Sequence, residues 1–476
     1  MSTNQSRRIF LQRAAVGAAA ISAAKYVPSP LVWAAEDAKD KIRVAVIGCG
    51  GQGVGTHVST VVKEEKLVCI VDPDKKKYAN AIKQAQKIDP KFNGESLKTF
   101  TDYRQLFDKA KDQFDAVSVA TPNNHHALPG MIAMKLGKHV YIEKPLCYTI
   151  DEARKLSELS KTAKVATQLG NQGHSGEGYR RLCEYIWAGA IGNVTESHCW
   201  TDRANGGTGG RPPSLPVPDG LDWDLWIGPA PFREYHKGLH PHDWHDWFDF
   251  GGGSIGNMGC HIMDGSFWAM KLGMPTSVVM EEAGGGSPEQ FTTTTRLRFD
   301  FAARENMPPF TLFWYDGKKL GVTDAGTGQV VGSVSKKAQN IPPIAVEWAK
   351  KTGRDFSGDH SLYIGDKGVM YTGCYGGGVR ILPEEQHKAT PVPAAVIPRI
   401  KGSHHSDFFR ACRDGKPAVS NFEYGAKLTE LILLGGLAIR AGRGNKLEWD
   451  AANMKVTNNA DINRFVKREN RKGWEA

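Results

Sequence analysis

Ile42-Arg43-Val44-Ala45-Val46-Ile47, followed at once by Gly48-Cys49-Gly50-Gly51-Gln52-Gly53, decides the fold. The first six residues are mostly β-branched and read as a buried strand. The next six match the G-x-G-x-x-G turn. In this motif the first glycine (Gly48) permits a tight turn and the second (Gly50) lets the backbone approach a pyrophosphate. The third (Gly53) lets the following helix pack closely, so that its amide groups and dipole face the phosphates. The turn alone is weak evidence. A second strand, Lys66–Val71, ends at Asp72, about twenty residues on, where an acid binds ribose hydroxyls. An acid there repels a 2′-phosphate, so NAD is expected rather than NADP, although Lys75 to Lys77 lie near enough to keep NADP open.

The βαβ rhythm continues. Phe114–Ala120 reads as the fourth strand and ends in Thr121-Pro122-Asn123-Asn124-His125-His126. Polar groups at a strand's carboxyl end near the switch point are placed to touch a dinucleotide; Thr121, Asn123 and His126 are the expected contacts, and a Pro/Asn turn is the bland alternative. His139–Ile142 is the next strand and runs into Glu143-Lys144-Pro145. Asp151–Lys164 reads as an amphipathic helix. Val165–Gln168 is assigned to a new strand of a second domain, leading into Gly170-Asn171-Gln172-Gly173-His174.

The Glu-Lys-Pro after a Rossmann strand, preceded by Thr-Pro-Asn-x-x-His, resembles the Gfo/Idh/MocA family of oxidoreductases, from about residue 41 to the C-terminus. The resemblance implies an N-terminal Rossmann domain with a doubly wound parallel sheet, followed by a domain with a large, open, mostly antiparallel sheet. It implies that Lys144 lies beside the nicotinamide and the reacting carbinol, that Glu143 and Gln52 belong to the cofactor site, and that Gln172 and His174 line the substrate cleft. Further on, Gly251-Gly252-Gly253-Ser254-Ile255-Gly256-Asn257-Met258-Gly259-Cys260-His261 matches the family's glycine-rich segment at the start of a helix. His261 then takes the place of the general base. Where the family usually carries an aspartate one turn earlier, this chain has Asn257, which can orient a hydroxyl or an imidazole but cannot accept a proton. That departure leaves two reactions open. One is NAD-dependent hydride transfer at a sugar, glycoside or cyclitol carbinol. The other is an NAD-retaining glycosidase or lyase that oxidises the sugar transiently and eliminates.

Residues 201–253 are rich in glycine and proline and carry Trp223, Trp226, Trp244 and Trp247. A long irregular insertion in a compact domain is usually functional, and aromatic faces suit the C–H face of a sugar. Trp244 and His245 are therefore expected substrate contacts, with packing of the loop onto the body as the competing account. His236, His240, His242 and His245 lie beside Asp243 and Asp246, but their spacings fit no helix-borne metal pair, and no metal is expected. Alternating runs at Thr293–Phe299 and Pro309–Tyr315, a hairpin at Leu362–Tyr371, and helices at Ser403–Cys412 and Tyr424–Arg440 complete the second domain.

The 476 residues suggest two domains plus appendages. They are assigned as a leader (1–35), an NAD-binding domain (41–165) and a substrate and oligomerisation domain (166–476) whose C-terminal tail can pack back on the first. Hydrophobic content of 40% and charged content of 24% are those of a globular protein. The net charge of +10 is spread without a basic, aromatic-interleaved stripe, so no nucleic-acid partner is expected. Eight cysteines contain no Cys-x-x-Cys pair and read as small buried hydrophobes. The start, Ser6-Arg7-Arg8-Ile9-Phe10-Leu11 and then an alanine-rich run, resembles a twin-arginine signal. It implies an exported, periplasmic protein with no membrane span after cleavage. A homo-oligomer, dimer or tetramer, is implied by the family resemblance alone.

Overall fold

A computed structural model describes residues 41–318, 322–323, 330–331 and 339–475. The twin-arginine leader lies outside the described residues, as does part of the polar stretch after Leu320.

The first sheet has six strands: β1 (Arg43–Ile47), β2 (Lys66–Val71), β3 (Lys98–Phe100), β4 (Ala116–Val119), β5 (His139–Glu143) and β6 (Thr167–Gly170). Their order is β3-β2-β1-β4-β5-β6 and every neighbouring pair is parallel. The order reverses between β1 and β4, which opens a crevice at the strands' carboxyl ends. Alternation along β1 sends Val44 and Val46 to one apolar cluster and Ala45 and Ile47 to the other, as expected of a sheet covered on both faces.

The boundary placed at residue 165 requires correction. Thr167–Gly170 belongs to the first sheet, pairing Val140 with Thr167 and Glu143 with Gly170. Its side chains hid this. Gln168 is fully buried yet polar, because its amide donates to the His404 carbonyl at 2.6 Å, and Thr167 accepts from the Phe422 amide at 3.1 Å. Partners supplied by the distant C-terminal region replace the apolar signature of a central strand.

The second sheet has nine strands. They are β7 (Val194–Trp200), β8 (Ser277–Gly284), β9 (Thr294–Phe301), β10 (Phe310–Gly317), β11 (His360–Gly365), β12 (Gly368–Gly373), β13 (Arg380–Leu382), β14 (Leu447–Asp450) and β15 (Lys455–Val456). Only β7 and β10 pair in parallel; the other pairs are antiparallel.

Five helices matter for the site: α1 (Ser59–Glu64), α2 (Ile150–Ala163), α3 (Gly253–Ile262), α4 (His404–Asp414) and α5 (Phe422–Ala441). The Thr149/Glu152 capping box starts α2, and Asn421 caps α5 through the amides of Glu423 and Tyr424. Helix α5 packs against both α2 and α3. At the α3–α5 contact a Cβ on Gly259 would lie 2.5 Å from Ile432 Cδ1, so glycine is what lets the two helices close. Helix α4 returns to the first sheet, where Phe408 and Phe409 join the cluster of Val44, Val46 and Ile70. Among the described residues no helix is long and apolar enough to cross a membrane.

Candidate active site

One cavity of about 580 Å³ runs from the glycine turn to the second domain. At its first end Gly48 has φ +94°, and a Cβ there would stand 2.5 Å from the Ala120 carbonyl oxygen. Gly53 sits on the turn itself, where a Cβ would be 1.9 Å from the Gly48 oxygen. Gly50 and Gly51 have nothing within 4 Å of a Cβ, so their backbone faces open space. Just past β2, Asp72 accepts from the amides of Cys49 and Asp74, both at 2.8 Å. Burial raises its pKa to about 6 against those two hydrogen bonds. Lys77 lines the same end.

The other end gathers Glu143, Lys144 and Gln172 with Asn257 and His261 of α3. Glu143 accepts from Gln52 Nε2 at 3.1 Å and Gln172 Nε2 at 3.0 Å, and lies 3.1 Å from His57 Nε2. Burial pushes its carboxyl up, but the His57 hydrogen bond and charge, Lys144 and Gln52 together hold it below the usual carboxylate range. Lys144 Nζ donates to Asn257 Oδ1 at 3.1 Å, and Asn257 Nδ2 in turn donates to Asn205 Oδ1 at 3.0 Å. Burial lowers the Lys144 pKa while Glu143 opposes that shift. His261 is pushed down to about 3, by burial first and then by the Lys144 charge, so its ring is neutral. Its Nδ1 is buried without a partner, as are Thr121 Oγ1 and His245 Nδ1. All three residues line the cavity. Buried polar atoms without a partner are uncommon, and each calls for an explanation.

His261 is the next-to-last residue of α3, not at a helix start as its motif suggested; the helix begins eight residues earlier at Gly253. The i, i+4 spacing nevertheless puts Asn257 and His261 on one face, and both reach the cavity.

His174 is not a cleft residue. It is 2% exposed, stacked on Trp268 at 4.1 Å, with Nδ1 3.0 Å from Asp264 Oδ2. Asp264 also takes the Tyr424 hydroxyl and the Asn171 amide, so this carboxylate draws the imidazole into the core beneath α3. His126 does line the cavity, but its ring nitrogens lie 2.6 Å from the Pro145 carbonyl and 2.8 Å from that of Thr121. It ties the Thr121 and Lys144 loops together. Asn123, Trp244 and His245 also face the cavity, with Trp244 stacked on His245 at 3.7 Å.

The tryptophan-rich loop forms its own apolar cluster around Trp223, Trp226, Trp247 and Phe250, and lies across the first domain. Lys75 donates to Gly220 and Asp222 to Pro73; Asn124 reaches the Ile227 carbonyl at 2.9 Å and His125 that of Trp226 at 2.9 Å. The chain's end locks this roof. Arg471 bridges to Asp224 at 2.5 Å, and Trp474 packs beneath Arg104 at 3.9 Å and against Tyr103 and His125. The tail carried no motif, so sequence reasoning missed Trp474. It also missed His57, four residues beyond the last motif glycine, and Tyr375, whose only signal is its place before Gly376-Gly377-Gly378. Of the loop histidines, His242 and His245 meet edge to face at 5.5 Å, and among the described residues no three His, Cys, Asp or Glu side chains converge as metal ligands.

Sequence models described as "Oxidoreductase family, NAD-binding Rossmann fold" and "Oxidoreductase family, C-terminal alpha/beta domain" match residues 42–171 and 194–302, together about half of the chain. The chain belongs to the Gfo/Idh/MocA family. Among its relatives, a "Glycosyl hydrolase family 109 protein" of Streptomyces niveus is 31% identical over 159 residues, 33% of this chain and 31% of that protein. "Inositol 2-dehydrogenase 3" of Saccharopolyspora erythraea is 29% identical over 161 residues, 33% of this chain and 44% of that protein. The chain thus matches well under two thirds of either relative. The WlbA dehydrogenase from Bordetella pertussis, solved with NADH and UDP-GlcNAcA, superposes with a TM-score of 0.56 at 14% identity, covering 86% of this chain and 99% of that one. At that identity it shows the Gfo/Idh/MocA fold alone.

Proposed function

We propose that the protein transfers a hydride between a sugar, glycoside or cyclitol carbinol and a tightly held nicotinamide cofactor. One observation carries this reading: Lys144 and a neutral His261 line the same cavity as the glycine turn, near enough for the lysine's charge to act on the imidazole. The turn fits a dinucleotide, since its open backbone at Gly50 and Gly51 leaves room for a pyrophosphate and Asp72 stands where ribose hydroxyls need an acceptor. Thr121, Asn123, Gln52 and Glu143 would complete the hold. Asp72 favours NAD over NADP by charge.

When bound, the nicotinamide supplies the hydride acceptor. The His261 imidazole takes the hydroxyl proton as general base. Lys144 donates a hydrogen bond to the same substrate oxygen, and burial, with the lysine's charge, keeps the imidazole neutral and so free to accept the proton. Asn257 holds Lys144 in place. Trp244 and His245 contact the sugar from the roof. With the roof and tail closed over it, the cofactor stays bound and a second substrate recycles it. The paired arginines of the leader support export in the folded, loaded state.

A second reading, transient oxidation followed by elimination of an aglycone, is favoured by the relatives named glycosyl hydrolase family 109 and by Asn257 in place of an acid. The test is purification without added nucleotide, followed by reduced-nicotinamide absorbance against a panel of sugars and glycosides with product analysis. Bound NAD(H) and an accumulating ketone support hydride transfer. A released aglycone with no net redox change supports the second reading, and a protein without bound nucleotide that takes none up sinks both.

A further inference from the structure

The turn Cys374–Gly376 follows β12 and brings one more side chain to the reacting end of the cavity. Tyr375 adopts φ +59° and ψ 18°, a left-handed conformation that residues with a side chain rarely take. Three glycines from two segments make room for it. A Cβ on Gly173 would lie 2.7 Å from Tyr375 Cα, one on Gly178 would be 1.8 Å from the Gly376 oxygen, and one on Gly376 would meet the Tyr179 amide at 2.6 Å. Two backbone hydrogen bonds, Gly373 to Gly377 and Cys374 to Asp359, fix the turn from behind. The backbone is thus over-determined, and strain held this way clusters at ligand sites.

The ring is equally unusual. Its centroid is 4.6 Å from that of His261, at 54°, yet the residue is 46% exposed and the exposed part lines the cavity. Its neighbours Tyr179 and Tyr363 are fully buried. Among the described residues the Tyr375 hydroxyl makes no hydrogen bond, and it is not enclosed. Burial, with the charges of Cys374 and Glu143, pushes its pKa up to about 12, so it remains a donor rather than a base.

We propose that Tyr375 is a substrate-binding residue: its ring receives the apolar C–H face of a pyranose or cyclitol, and its hydroxyl donates to an oxygen of that ring. The residue is placed to select among sugars by the hydroxyl it can reach. The chemistry favours this ligand because an aromatic face with a polar edge, beside a neutral imidazole and an ammonium, matches a ring that alternates C–H and O–H groups. The inference rests on the carbohydrate reading of the same cavity.

The test compares Tyr375→Phe and Tyr375→Asn with wild type, all purified with their bound nucleotide. Asparagine tolerates the left-handed backbone and so keeps the turn while removing the ring. Binding of pyranosides and cyclitols is measured by quenching of bound reduced-nicotinamide fluorescence, and turnover alongside it. Tyr375→Phe should raise Kd and KM by roughly tenfold for some sugars and not others, with a smaller fall in kcat. Tyr375→Asn should raise both by about a hundredfold for all of them, with nucleotide content and melting temperature retained. Unchanged Kd values in both variants would overturn the proposal, as would a lowered melting temperature with unchanged sugar affinity. A wild type that binds none of the panel would overturn it as well. Should wild type bind a sugar without any change in nicotinamide absorbance, the hydride-transfer reading fails while the ratio of Kd values still decides the role of Tyr375.

Discussion

The glycine turn and the reacting end of the cavity differ in how their polar groups are satisfied. At the glycine turn the polar groups satisfy one another: Asp72 takes two backbone amides, Gly48 donates to Val71, and Asp74 takes the amide of Lys76. At the far end His245 Nδ1 and His261 Nδ1 are buried with no partner, while the other orphaned atoms of the cavity, Thr121 Oγ1 beside the turn and Tyr103 Oη and His125 Nδ1 by the tail, flank the glycine turn rather than belong to it. An internally satisfied surface gains little by rearranging, whereas an orphaned buried atom gains a hydrogen bond when a ligand arrives. The first end is made to hold, the second to react.

The largest effects should fall at the reacting end and leave retention alone. Lys144→Ala and His261→Ala are each expected to lower kcat by about 10²–10⁴ while the purified protein keeps its nucleotide. Steady-state kinetics beside nucleotide content of the denatured protein checks this. Loss of nucleotide in either variant would erase the distinction between the ends.

Next comes the holding end, with the reverse pattern. Asp72→Ala should weaken nucleotide binding by roughly ten- to a hundredfold, the worth of a charged hydrogen bond, with kcat at saturating cofactor within a few-fold of wild type. Acidity separates the ends in the same way. With a folded pKa of about 6, Asp72 is charged only above that pH, so nucleotide affinity should fall as pH drops through about 6. His261, lowered to about 3, stays neutral over the same range, so turnover of preloaded enzyme should show no acid limb near the ordinary histidine pKa. A limb near 6.5 that vanishes in His261→Ala would contradict this account.

A smaller effect belongs to the roof. Trp474 is 3% exposed and joins Arg104, Tyr103 and His125 to a tail that grips the tryptophan loop. Trp474→Ala should accelerate release of bound nucleotide by roughly tenfold, about 1.4 kcal/mol of lost closure, as read by exchange against labelled NAD.

The unequal legibility of these features has a physical basis. The glycine turn and Asp72 could be read directly because their roles are backbone-local: Gly48 needs its φ and Gly53 its missing Cβ whatever the rest of the chain does. The Asn257/His261 pair was legible for the same reason, since four residues along a helix share a face. What depended on distant partners was not. β6 looked like the start of another domain because the Gln168 amide donates to a carbonyl more than two hundred residues away. His174 looked like a cleft residue because nothing local reveals Asp264 beneath it. Trp474 and Tyr375 reach the cavity only through the long-range packing of the tail and of β12.

The smallest expected effect tests the one departure from the family's pattern. Asn257→Asp restores a carboxylate beside Lys144 Nζ, where the amide oxygen now accepts at 3.1 Å. The new charge favours the protonated lysine and stabilises a protonated His261, raising the proton affinity of both groups. Against this, the aspartate loses the Nδ2 donor that Asn257 presents to Asn205 Oδ1. Asn205 can answer by turning its own amide, offering a donor in place of an acceptor, at the expense of its 3.4 Å contact with Asp246. Gain and loss nearly cancel, so kcat should move by less than about tenfold and the pH profile should shift upward. A change of a hundredfold or more would mean that the asparagine is itself required by the reaction, which would favour elimination over simple hydride transfer.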